Sequence, residues 1–152
     1  VHTLQDIYYA ENQIVKNLPT MVDNASDPEL KAAFQHHLAE TEEQVRRLER
    51  VFQMHDQSVK GVTCPAMDGI LAEAKDIISD CDDAEVCDAT MLSAAQAVEH
   101  YERTRYGSLI VDATQLGRPD CAAVLKQMLE EEKSADQKLT RIAEKGVNQH
   151  AV

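Results

Sequence analysis

The sequence predicts an all-α fold, a four-helix bundle with a long crossover carrying a short extra helix between the second and third long helices. Three observations predict it. Ala, Leu, Glu, Gln and Lys are abundant while Gly (5), Pro (4) and Trp (0) are sparse, which is a composition of helix formers. Apolar residues recur at spacings of three and four and never alternate in strand-like runs. The length of 152 residues suits one domain over 1–152, with a core large enough for four helices.

The first helix follows from the stripe Leu4, Ile7, Tyr8, Glu11, Val15, Leu18, Met21 and Val22, one face of a 3.6-residue period with a carboxylate in its middle. Pro19 lacks an amide donor and is expected to kink this helix or close its regular part. The second helix opens with Asp27 as N-cap and Pro28 at the first helical position, with Ser26 and Glu29 spaced as in a capping box. It is expected to run to about His55, with a stripe from Leu30, Ala33 and Phe34 through His37, Leu38, Thr41, Gln44 and Val45 to Leu48, Val51 and Phe52. An irregular connection around Gly61, Cys64 and Pro65 precedes a shorter helix from Met67 to Ile78, and Asp80-Cys81-Asp82-Asp83 breaks it. So long a segment suits a crossover travelling the length of the bundle, which favours ferritin-like connectivity over up-down-up-down.

The third long helix carries Met91, Ala95, Val98, Glu102, Tyr106, Leu109 and Ala113 on one face, with Glu99 on its shoulder and Gly117 at its end. Pro119 opens the fourth, whose stripe is Leu125, Met128, Leu129, Glu132, Ala135, Asp136, Leu139, Ile142 and Ala143. A shift of 91 residues carries Glu11 onto Glu102, Glu40 onto Glu131 and Leu48 onto Leu139. This faint repeat reads as two related helix pairs with their acids near one axis.

Charge and cysteine usage limit the function. With 27 acidic residues against 15 Lys and Arg, the net charge is −12, a surface that repels nucleic acid and anionic membranes. No apolar run approaches the ~20 residues of a membrane span. Cys64, Cys81, Cys87 and Cys121 form no CxxC pair, which points to reduced thiols in a cytoplasmic setting. Cys81 and Cys87 could approach each other across an acidic loop, but a disulfide is not expected there. The chain starts at Val1 rather than Met, so a preceding segment is left open.

Carboxylates on core-facing stripes carry the functional signal. A buried acid is costly unless it is paired, and a bound cation is a common partner. The expected metal ligands are Glu11 from the first helix, His37 and Glu40 from the second, Glu99 and Glu102 from the third, and Glu132 and Asp136 from the fourth. An oxygen-rich set with one imidazole suits two divalent ions, iron or manganese, bridged by carboxylates. Arg103 or Arg105 could instead neutralise an acid on the third helix, and tyrosines near the acids could hydrogen-bond to them.

Leu4-Gln5-Asp6-Ile7-Tyr8-Tyr9-Ala10-Glu11-Asn12-Gln13 with Leu18-Pro19, His37-Leu38-Ala39-Glu40-Thr41, Gln96-Ala97-Val98-Glu99-His100-Tyr101-Glu102 with Tyr106-Gly107, and Glu131-Glu132 with Ala135-Asp136 occur in order along the chain. This series resembles the YciE/YciF family of ferritin-like bacterial stress proteins, and the similarity covers essentially the whole sequence. The resemblance implies a ferritin-like bundle, a cytoplasmic homodimer and a link to stress responses, with no defined reaction and no identified redox partner. Better-known ferritin-like enzymes use Glu-x-x-His, whereas here the order is His37-x-x-Glu40 and the fourth helix lacks a histidine. The expected function is thus a di-metal stress protein acting on dioxygen or peroxide. The alternative is a non-catalytic helical stress protein that acts through protein association and uses no metal.

Overall fold

The computed structural model describes residues 1–151, and the all-α class is as read from the sequence. The helices are α1 (His2–Asn24), α2 (Pro28–Met54), α3 (Pro65–Ser79), α4 (Ala84–Gln115), α5 (Pro119–Ile142) and α6 (Asn148–His150), with a π-helical turn at Ala143–Val147 joining the last two.

The boundaries follow from local chemistry. The Asp27 side chain accepts from the amides of Glu29 and Leu30, and Asp83 accepts from those of Glu85 and Val86, each satisfying donors that a helix start leaves free. Glu29 does not complete a capping box, because its carboxylate reaches Lys145 at 3.0 Å. Gly117 adopts φ 68°, and Arg118 N–H then bonds back to the Ala113 carbonyl at 2.9 Å, a left-handed helix stop that favours glycine. Pro19 does not close α1, which continues to Asn24. Pro19 is exposed, so the carbonyl it leaves without a donor lies on the solvent side, where water can satisfy it. In the same helix Ile14, not Val15, is fully buried.

Side-chain bonds fix the helix directions. Tyr8 bonds to Glu49 and Arg47 to Glu131, while the Asp6 carboxylate meets Tyr101, and the amides of Ser26 and Asp27 meet Asp88. Hence α1 runs antiparallel to α2 and α4, α5 runs antiparallel to α2 and α4, and the diagonal pairs run parallel. The connection from α2 to α4 therefore travels the length of the bundle, and α3 lies along it against α1 and α4. Gly61 lets its start pass close to α1, since a Cβ there would stand 3.0 Å from Tyr9 Cβ and would need the two segments to part by a few tenths of an ångström.

One sequence expectation is corrected in the crossover. Cys81 and Cys87 form a disulfide, with Cα atoms 5.7 Å apart. The turn between α3 and α4 folds the two cysteines together, the approach that the acidic loop allowed, and the bond itself is what the sequence reading did not expect. Cys64 and Cys121 are free and buried.

Leu4, Ile7, Leu48, Phe52, Leu109, Leu125 and Met128 fill one end of the bundle, while Leu30, Phe34, Met91, Leu92, Leu139 and Ile142 fill the other. Between these apolar blocks lies a polar layer.

Candidate metal centre

The polar layer is produced by the same periodicity that builds the core. Glu11 stands between buried Ile7 and Ile14 on α1, Glu102 between Val98 and Tyr106 on α4, and Glu132 between Met128 and Leu139 on α5. Each is carried inward by its neighbours' burial and is itself fully buried. His37 lies one turn from Ala33 and Phe34 on α2. Glu99, on the shoulder of the α4 stripe, is also buried, because α4 has α3 as well as α1 and α5 packed against it.

One ligand atom from each of His37, Glu99, Glu102 and Glu132 falls within 4.8 Å of all the others. His37 Nε2 is 3.2 Å from Glu99 Oε1. Glu11 joins the group from α1: its Oε1 accepts the Tyr106 hydroxyl, and its carboxylate lies against Glu102. Gln44 Nε2 donates to Glu132 Oε1 at 2.5 Å and to Glu131 Oε2 at 3.2 Å. Each of these acids thus receives a donor from the other helix pair, α1 from α4 and α5 from α2.

The remaining polar atoms face one another without forming a well-aligned hydrogen bond. Glu11 Oε2, Glu99 Oε2, both oxygens of Glu102, Glu132 Oε2 and both ring nitrogens of His37 are buried without a hydrogen bond. Burial pushes the Glu11 carboxyl up to about 7 and Glu99 up to about 8. Burial, reinforced by the neighbouring acids, holds Glu102 and Glu132 well above the usual carboxylate range. Burial lowers His37 to about 4, so its imidazole is neutral near pH 7 and its lone pair is free to bind a metal.

Glu40 and Asp136 are not brought into this group. Glu40 sits at the bundle surface, 3.2 Å from His36 Nε2. Asp136 is held at the α4–α5 seam by Arg103 at 2.7 Å, Gln96 at 3.1 Å and His100 at 3.2 Å. Its period-3.6 position was correct, but a guanidinium within reach turns the short side chain outward. Gln44 was missed as a site residue, although an amide in the centre of an apolar stripe was the signal that could have found it.

The family model described as "Domain of unknown function (DUF892)" matches residues 1–152. Protein YciF of Escherichia coli strain K12 is 41% identical over 152 residues, covering 99% of this chain and 92% of that protein. The crystal structure of that E. coli stress protein superposes with a TM-score of 0.91 at 41% identity, covering 97% of this chain and 93% of that one. YcfI of Rhodopseudomonas palustris, described as a structural protein, has a TM-score of 0.90 at 46% identity over 91% of this chain and 88% of its own. A Xanthomonas campestris protein shares the fold, with a TM-score of 0.76 at 22% identity over 97% of this chain and 89% of its own.

Proposed function

This chain belongs to the DUF892 family, and from that premise we propose that it is a YciF-like helical protein, a single domain over residues 1–152, with a di-metal carboxylate centre. The ions, iron or manganese, are held by Glu11, His37, Glu99, Glu102 and Glu132, while Glu40 and Asp136 stand outside the shell.

A single observation supports this reading: buried oxygens and nitrogens at the centre lack hydrogen-bond partners. Metal binding would displace the protons that burial holds on Glu11, Glu99, Glu102 and Glu132, and the four negative charges so formed would balance two divalent cations. The donor set of hard oxygens with one imidazole suits iron or manganese better than a soft-metal site would. Bound ions would supply one-electron chemistry toward dioxygen or peroxide. The chain's own residues do the rest. Tyr106 and Gln44 each fix one oxygen of an acid and so aim the other, and the apolar blocks above and below exclude bulk water.

The stress-protein designation of E. coli YciF fits a protein that handles a redox-active metal and its oxidants. A cytoplasmic homodimer belongs to the same reading by family resemblance. Among the described residues no helix is long and apolar enough to cross a membrane. Anaerobic reconstitution with Fe(II), followed by elemental analysis, should give about two ions per chain. Absence of binding would sink the proposal and leave a non-catalytic protein that acts by association.

A further inference from the structure

The two ends of α3 are held in different ways. At its start Cys64 and Met67 are buried, the Cys64 thiol lies 2.8 Å from the Tyr101 hydroxyl on α4, and Tyr9 on α1 donates to Asp68 at 3.0 Å. Beyond Met67 only Ala74 of this helix is fully buried, and Ile77 stands 48% exposed. Among the described residues, the one side-chain hydrogen bond made from 70–79 joins the Ser79 hydroxyl to the Asp76 carbonyl and stays within α3. An open groove of about 400 Å³ lies between Ile70, Ala74 and Ile77 on α3 and Val86, Thr90 and Ser93 on α4. The far end of α3 is therefore fastened chiefly by the Cys81–Cys87 bond, which joins the chain just past α3 to the start of α4. What this end covers is part of the centre. Leu71 on α3 walls, with Ile14 and Val98, a small cavity that reaches Glu99.

We propose that Cys81 and Cys87 are a reversible oxidation site whose bond latches α3 over the Glu99 side of the central layer. In the cytoplasmic setting proposed for this chain thiols are kept reduced, and a disulfide there is a transient, redox-sensing bond. Both cysteines are partly exposed, so small thiols and peroxide can reach them. Hydrogen peroxide closes the latch, taking two electrons and two protons from the thiols to become two waters as the S–S bond forms. A dithiol reopens it: its own two sulfurs join, and their two electrons and two protons pass to Cys81 and Cys87 as the bond breaks. With the bond open, 70–79 keeps few buried contacts, and segments held so lightly open locally at low cost. The latch is independent of the metal-centre reading, and only its effect on ion exchange rests on it.

Alkylation in denaturant, followed by mass measurement, should count two free thiols, Cys64 and Cys121, in the peroxide-treated protein and four after dithiothreitol. Hydrogen exchange is then compared between these two forms. Reduction should speed exchange of the 71–79 amides about tenfold, as loss of a short cross-link allows, and leave α2 and α5 unchanged. Cys81→Ser combined with Cys87→Ser should exchange like the reduced protein, with or without dithiothreitol. Four free thiols after peroxide treatment overturn the inference, and so does equal exchange in proteins shown to carry two and four. Ion release is followed without reductant in the serine variant, which should surrender Fe(II) to a chelator about tenfold faster than the oxidised protein. Equal release overturns the placing of the latch over the centre. If Fe(II) binds to neither protein, the metal-centre reading falls and the exchange result still decides the latch.

Discussion

Buried carboxylates occur in two kinds of surroundings in this molecule, and the contrast between them is informative. Asp6 and Asp88 are each satisfied. Asp6 receives the Tyr101 hydroxyl at 2.6 Å and pairs with Arg105 at 3.1 Å, while Asp88 accepts the amides of Ser26 and Asp27 at 2.9 and 2.7 Å. Three of the central acids, Glu11, Glu99 and Glu102, share α1 and α4 with them, yet Glu102 has no donor on either oxygen. The fold therefore supplies protein donors to a buried acid where a joint between elements needs them. In the central layer it leaves acids facing one another, which is the arrangement a cation completes.

The largest effect that can break this contrast is on metal affinity. Structural metal sites with four protein ligands are worth ~10 kcal/mol or more, so Glu102→Gln combined with Glu132→Gln should weaken metal binding on the order of a thousandfold or beyond. Competition against a chelator of known affinity measures it, and retention of native affinity would place the metal elsewhere.

Next comes the satisfied class. Asp88→Ala orphans two amides at the α1–α2 turn and should destabilise the protein by about 2 kcal/mol, which lowers Tm by roughly 4–8 °C. An unchanged Tm would show that water replaces the carboxylate.

The opposite sign is expected in the centre. Without metal, Glu102→Gln should raise stability by ~1 kcal/mol, since it removes a carboxyl whose ionisation burial and the neighbouring acids oppose. The pH dependence sharpens this. Glu11 and Glu99 have folded values of about 7 and 8 against an ordinary 4.5. Their contributions are complete below about pH 4.5 and are lost as pH rises through 7 and 8. His37 acts in the opposite sense: at about 4 against 6.5, its contribution is complete above 6.5 and lost as pH falls through 4. Between pH 6.5 and 8 only the acids are losing protons, so the Tm of the metal-free protein should fall by roughly 3 °C per pH unit. Calorimetry across that range should show the slope, and Glu102→Gln should flatten it. A rising Tm would contradict the burial argument.

The smallest effect belongs to the surface. Lys145 and Glu29 are exposed and 3.0 Å apart, and Lys145→Ala should leave Tm within about 1 °C of the native value.

Features set by local chemistry were legible in the sequence. The Asp27 cap, the Pro28 and Pro119 starts and the Gly117 stop all lie where the residues put them. The burial of three candidate residues, Glu11, Glu102 and Glu132, was legible because one-dimensional periodicity decides which way the middle of a stripe points. Features that depend on a neighbour from elsewhere in the chain were not. Asp136 needed knowledge of Arg103 across a helix seam, Glu99 needed α3 to cover its shoulder, and the Cys81–Cys87 bridge needed the geometry of a loop. The π-helical turn at Ala143–Val147 has no cue in composition that we can identify.

The crossed donors at the centre have a consequence for biosynthesis. Tyr106 on α4 aligns Glu11 on α1, and Gln44 on α2 aligns Glu132 on α5, so neither helix pair holds an aligned acid without the other. As the chain leaves the ribosome, α1 and α2 emerge and can pair long before α5 exists, but that half carries only Glu11 and His37 of the group. If the centre binds metal as proposed, capture of ions would be postponed until the last long helix has docked. The nascent chain would then be spared from trapping a reactive metal in an unfinished, water-filled site.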